Sequence, residues 1–93
     1  MSDLASVQLM IYGHVQGVFF RAFTAERARK LSLTGYVSNL PEGAVKVQAE
    51  GERNKLEALI SYLEMGPPGA RVTKVVTKWS EYSGSYSRFN IRY

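Results

Sequence analysis

Ile11-Tyr12-Gly13-His14-Val15-Gln16-Gly17-Val18-Phe19-Phe20-Arg21 is the stretch across which the chain changes its repeat. Before it, Val7, Leu9 and Ile11 alternate with Gln8, Met10 and Tyr12, the two-residue period of a strand with one face in a core. After it, Phe20, Thr24, Ala28 and Leu31 recur at helical spacing, with Glu26, Arg27, Arg29 and Lys30 largely on the other side. A strand therefore ends at Gly13, and a helix runs from about Arg21 to Leu31.

A loop that feeds a helix N-terminus is a place to hold an anion. Several backbone N–H groups have no helical partner there, and the helix dipole adds partial positive charge. Gly17 lacks a Cβ and can take positive φ, so that successive N–H groups turn inward as a nest. Arg21 closes the cup with a planar fork of donors that grips two oxygens of a phosphate or carboxylate. As a mere surface residue, an arginine would sit poorly at a helix start, because the dipole repels a cation unless an anion is also present.

The period continues outward from that loop. Gly35 marks a break before a strand over 36–40, Pro41-Glu42-Gly43 is a turn, and a strand over 44–50 alternates Val45, Val47 and Ala49 with Lys46, Gln48 and Glu50. These two strands form a hairpin. Leu56, Leu59, Ile60 and Leu63 give a clear helical stripe, with Asn54 and Glu57 as a capping box at its start. Gly66-Pro67-Pro68-Gly69 stops this helix. A β-branched strand covers 72–79, placing Thr73, Val75, Thr77 and Trp79 on one face, Ser83-Gly84-Ser85 turns the chain, and Phe89, Ile91 and Tyr93 alternate in a last strand. The order β-α-β-β-α-β with a short extra C-terminal strand predicts an α+β, ferredoxin-like sandwich, an antiparallel sheet with two helices on one face.

Composition narrows the function classes. With 93 residues the chain suits a single domain over 1–93, residues 1–6 being a flexible N-terminus. The absence of cysteine excludes disulfide frameworks, thiolate zinc sites and cysteine nucleophiles. No signal-like N-terminal stretch or membrane-length apolar run is present, so a cytoplasmic protein without membrane association is expected. The +4 formal charge favours anionic partners without choosing between a small phosphate and a nucleic acid.

Two spaced motifs sharpen the reading. Gly13-x-Val15-Gln16-Gly17-Val18-x-Phe20-Arg21 resembles the first signature of the acylphosphatase family, and Gly35-Tyr36-Val37-Ser38-Asn39, continued by Gly43-Ala44-Val45 and Gly51, resembles the second. The likeness runs from about residue 7 to the C-terminus. Only Ser38 departs, at a place where the family usually carries a longer polar or basic residue; this bears on affinity or substrate preference more than on reaction type. The resemblance implies that Arg21 binds phosphoryl oxygens together with backbone N–H groups of Val15, Gln16, Gly17, Val18, Phe19 and Phe20, and that Asn39 orients the attacking water. It implies a small-molecule acyl phosphate as substrate, carboxylate and inorganic phosphate as products, no metal, no cofactor, no nucleic-acid or membrane partner, and a monomer. Carbamoyl phosphate and a bisphosphoglycerate are family-level candidates for the substrate.

The chemistry of the residues agrees with that implication. A split β-α-β geometry would bring the end of the second strand beside the loop, and an asparagine there offers an acceptor oxygen and two donors that hold water without titrating. By itself, Asn39 beside a turn reads as a turn former. His14, the single histidine, stands at a variable motif position with no second ligand near it and is assigned no role. Two rival readings share the element order. One is a phosphate-sensing domain that does not turn over, against which an intact Arg21 and Asn39 argue. The other is an RNA-recognition motif, which requires aromatics on the third strand, where this chain has Ala44-Val45-Lys46-Val47-Gln48-Ala49-Glu50.

Overall fold

The computed structural model describes residues 3–93. The elements follow as β1 (Leu4–His14), α1 (Phe20–Lys30), β2 (Thr34–Asn39), β3 (Val45–Glu52), α2 (Arg53–Met65), β4 (Arg71–Ser80) and β5 (Phe89–Arg92). The strands form one sheet in the order β4-β1-β3-β2-β5, with β1 antiparallel to β3 and β4, and β2 antiparallel to β3. Each β-α-β unit therefore skips a strand, β3 lying between β1 and β2 and β1 lying between β3 and β4. This is the ferredoxin-like plan expected from the sequence.

One face of the sheet carries the core. Val7, Leu9 and Ile11 of β1 pair with Ala49, Val47 and Val45 of β3, and all six are fully buried. Above them α1 packs on β2 and β5 while α2 packs on β1, β3 and β4, contributing Phe20, Ala28, Leu56, Leu59 and Leu63. The two-residue period of the strands and the stripe on α2 meet here, which is why the chain closes this face and leaves the other half open. Among the described residues no helix is long and apolar enough to cross a membrane.

Five expectations are corrected. The sheet is mixed, because β5 lies parallel to β2. β1 and β2 point the same way through the intervening β3, so a strand that reverses after β4 and lands beside β2 has to run with it. The segment between β4 and β5 is consequently no tight turn but a crossing from one edge of the sheet to the other. Glu50 anchors that crossing on the helix-free side, accepting hydrogen bonds from Ser83 N–H at 3.0 Å, Ser83 Oγ at 2.7 Å and Gly84 N–H at 3.0 Å. Burial raises the Glu50 carboxyl pKa, but the hydrogen bonds from Ser83, Gly84 and Ser6 outweigh it and hold the pKa below the usual range.

The N-terminal region is also more ordered than the sequence suggests. Met1 and Ser2 lie outside the described residues, whereas Leu4, Ala5 and Ser6 already belong to β1, paired with Glu52, Gly51 and Glu50. A central strand is held from both sides, so its ends are retained where an edge strand would fray. The Asn54–Glu57 capping box does not form. β3 runs straight into α2 through Glu52, the Arg53 N–H donates to the Asp3 carbonyl at 2.8 Å, and Glu57 pairs with Arg53 instead at 3.7 Å. Finally, a bulge breaks the alternation of β4: Tyr12 pairs with Lys74 but Gly13 with Val72, so Thr73 is passed over and Val72 joins Val75 and Trp79 against the core.

Candidate active site

The parallel strands β1, β2 and β5 all end on one edge of the sandwich, and α1 begins there. The connection from β1 to α1 departs from regular structure in two left-handed residues, Gly17 at φ 75° and Phe19 at φ 61°, ψ 26°. A left-handed residue followed by the first helical one turns consecutive N–H groups to the same side. No side chain caps α1 and its first turn holds no acid, so the helix presents uncompensated N–H groups and a positive dipole end. Its one ionised group there is Arg21, the same sign as the dipole.

A side-chain strap fixes this loop to the neighbouring hairpin. Gln16 Nε2 donates to the carbonyl of Leu40 at 2.8 Å and to that of Ala44 at 2.9 Å. These two carbonyls flank the β2–β3 turn, which is itself closed by Leu40 N–H to the Ala44 carbonyl at 2.8 Å. Asn39, the last residue of β2, is thereby held against the loop. Its Oδ1 is buried and, among the described residues, has no hydrogen-bond partner. Leaving such an acceptor unmatched costs about 1–3 kcal/mol.

These groups converge on one cavity of about 290 Å³, lined by Val15, Gly17, Phe19, Phe20, Arg21 and Ala22 from the loop and α1, Asn39 from β2, and Ile91 and Tyr93 from the C-terminal strand. Arg21 is steadied from the β5 side, with Nη1 3.4 Å from the Arg92 carbonyl and the guanidinium 4.6 Å above the Tyr93 ring. No carboxylate or histidine side chain lines the cavity, and among the described residues no three His, Asp or Glu side chains cluster as a metal site would require. The arrangement can grip a tetrahedral anion and hold a neutral polar molecule beside it.

A sequence model of the acylphosphatase family matches residues 7–91. The chain belongs to that family. It is 43% identical over 93 residues to an acylphosphatase of Anaeromyxobacter sp. strain Fw109-5, covering 100% of both chains. It resembles the crystal structure of acylphosphatase from Bacillus subtilis with a TM-score of 0.93 at 34% identity, over 98% of this chain and 100% of that one. An acylphosphatase from Coxiella burnetii superimposes with a TM-score of 0.91 at 38% identity, covering 97% and 94%.

Seen as an acylphosphatase, the chain places its motif residues in three ways. Val15, Gly17, Phe19, Phe20, Arg21 and Asn39 line the cavity. Gln16 and Val18 do not; the first turns its side chain to the hairpin and the second packs against the core. His14 ends β1 exposed, opposite Arg71 of β4, and Ser38 lies one residue short of the cavity on β2. Ala22, Ile91 and Tyr93 were missed as lining residues. Alternation with buried Phe89 gave Ile91 and Tyr93 a common face, but only the pairing of β5 with β2 says that this face ends at the acylphosphatase motif.

Proposed function

We propose that the chain hydrolyses the carboxyl–phosphate bond of acyl phosphates, releasing a carboxylate and inorganic phosphate. The observation that carries this reading is the meeting, in one cavity, of Arg21, the uncapped start of α1 and Asn39. Arg21 and the backbone N–H groups of residues 15–20 take the phosphoryl oxygens, where negative charge is spread in the transition state. Asn39 hydrogen-bonds the attacking water through its side-chain amide and sets its direction. The water oxygen bonds to phosphorus, the bond from phosphorus to the acyl oxygen breaks with its electron pair, and the water's protons remain on the phosphate and in solvent.

A carboxylate leaving group explains why so few groups suffice. Its conjugate acid has a pKa of about 4, so it departs at neutral pH without a proton donor. An alkoxide from a phosphate monoester would require one, and the lining offers no carboxylic acid or histidine side chain. The reading takes the reaction to proceed without metal or cofactor and the chain to act as a cytoplasmic monomer without a nucleic-acid partner; one chain supplies every element of the cavity, which supports the monomer.

The test is phosphate release from an aryl acyl phosphate in excess chelator by the parent, Arg21→Ala and Asn39→Ala, each shown to be folded. Loss of a donor to the developing charge costs about 10²–10³ in kcat, and misplacing the water about 10². A folded parent that does not exceed the uncatalysed rate would overturn the assignment in favour of a phosphate-sensing domain. Activity that returns only with added metal would overturn the metal-free step.

A further inference from the structure

The helix-free face of the sheet carries a charge pattern that the fold does not use. The residues that alternate with the core point there. Lys74, Val76 and Lys78 of β4 stand beside Tyr12, Met10 and Gln8 of β1, Lys46 of β3 stands between Met10 and Ser38, and Arg92 of β5 stands on the other side of Ser38. Among the described residues of these rows none is acidic, and none of the four cations pairs with a carboxylate. Glu50, one row further, is 2% exposed and already holds Ser83 and Gly84. These four cations equal the whole formal excess of +4.

Like charges are also drawn together here. Lys46 Nζ lies 5.7 Å and the Arg92 guanidinium 3.6 Å from the centroid of the Tyr36 ring, on either side of the short Ser38, and Lys74 Nζ lies 5.7 Å from that of Tyr12. Two cations at one ring repel each other, and an anion between them offsets that cost. Met10 and Val76, the latter 43% exposed, add a small apolar patch between Lys46, Lys74 and Lys78.

Spacing selects the partner. Cations occupy β4, β3 and β5, every second strand of the sheet, so their columns stand ~10 Å apart and span ~19 Å. That is too wide for one small anion. A nucleobase finds no free platform, because cations cover Tyr12 and Tyr36 and Tyr86 packs against Tyr36 at 6.1 Å. A flat bilayer would first meet the crossing segment, which passes over this side from its anchor on Glu50 and carries Glu81 but no cation before Arg88. An extended polypeptide advances about 3.3 Å per residue, so acidic side chains three residues apart match the columns. Gln8 and Ser38, between the columns, can bond its peptide groups.

We propose that this face docks an acidic segment of a partner protein, its carboxylates on Lys46, Lys74, Lys78 and Arg92 and an apolar side chain on Met10 and Val76. None of the four cations lines the active-site cavity, so docking stands apart from the hydrolytic reading.

The experiment measures, by fluorescence anisotropy at low salt, binding of a labelled peptide in which two glutamates alternate with one leucine, against the same peptide with glutamines, a single-stranded RNA and phosphatidylserine vesicles. The proteins are the full chain and its Lys46→Glu, Lys74→Glu/Lys78→Glu, Lys55→Glu and Arg21→Ala variants, each shown to be folded. Lys55→Glu makes the same charge change on the exposed side of α2. The glutamate peptide should bind and the glutamine peptide should not. Lys46→Glu should weaken binding about 3–10-fold and the double variant about 10-fold or more, while Lys55→Glu and Arg21→Ala stay within about 2-fold of the parent. On the parent itself, amide chemical-shift changes should gather on β1, β3 and β4 and spare both helices. An equal loss in Lys55→Glu would reduce the effect to net charge, and a loss in Arg21→Ala would move the peptide to the active site; either overturns the proposal. So does a folded parent that ignores the glutamate peptide, or one that binds the RNA or the vesicles more tightly.

Discussion

Replacing Gln16 with leucine removes the strap between the β1–α1 loop and the β2–β3 hairpin while keeping a side chain of similar bulk. Two hydrogen bonds are lost, at 2.8 and 2.9 Å, each worth a net ~0.5–1.5 kcal/mol. Neither carbonyl is orphaned by the change, because Ala44 O still accepts Leu40 N–H and Leu40 O still accepts Gly43 N–H. The stability loss therefore falls at the lower end of the sum, about 1–2 kcal/mol, and for a domain of this size lowers Tm by roughly 4–15 °C. Activity should suffer more. In the proposed reaction, a displacement of about 1 Å between Asn39 and the phosphoryl group costs about 100-fold in rate, near 2.7 kcal/mol. Gln16→Glu is the isosteric control: it presents acceptor oxygens to two carbonyls and should be the more destabilising of the two. Thermal unfolding and steady-state kinetics on the same preparations check both numbers. A Gln16→Leu enzyme that unfolds earlier yet keeps the parent kcat would refute the claim that the strap sets the geometry of the site.

Glu50→Gln should lower stability at neutral pH by about 1–3 kcal/mol, since its carboxylate gathers Ser83 and Gly84 from the crossing segment. The folded pKa of Glu50 lies below its unfolded value, so its contribution is complete above about pH 4.3 and disappears as pH falls through the folded value; stability of the parent should decline there more steeply than that of the variant, measured by denaturant titration. Gly13→Ala should cost ~3 kcal/mol or more, because a Cβ there would lie 2.0 Å from the Arg71 carbonyl at the β1–β4 bulge and φ is +127°; an unchanged Tm would count against that geometry. Phe19→Gly should raise stability by about 0.5–1 kcal/mol, the relief of a left-handed phenylalanine less the entropy of glycine, and a fall in Tm would show that the exposed ring packs after all.

Much of the fold and part of the site were legible in order. Strand alternation around Val7, Leu9 and Ile11 and the Leu56–Leu63 stripe placed the elements correctly because burial of one face imposes a period on neighbouring residues. The loop from Val15 to Arg21 was readable for the same reason: a glycine, a helix start and an arginine act within a few residues of one another. Ends of elements were less legible. Leu4–Ser6 read as a tail because nothing local shows that β1 lies between two other strands, and Asn54–Glu57 read as a cap because the sequence does not show a strand running directly into a helix.

What the sequence by itself determined, then, is the order and type of the elements and a glycine-bearing loop led into α1 with Arg21. Only the tertiary structure decided the path of β5 beside β2, the anchoring of the crossing segment by Glu50, the strap from Gln16 and the presence of Tyr93 over Arg21. The physical reason is distance along the chain: Gln16 bonds partners 24 and 28 residues away, Glu50 reaches 33 and 34 residues, and Arg21 meets the carbonyl of Arg92 across 71. Propensity and period are set by near neighbours, whereas contacts of that span exist only after the whole core has brought the strands together.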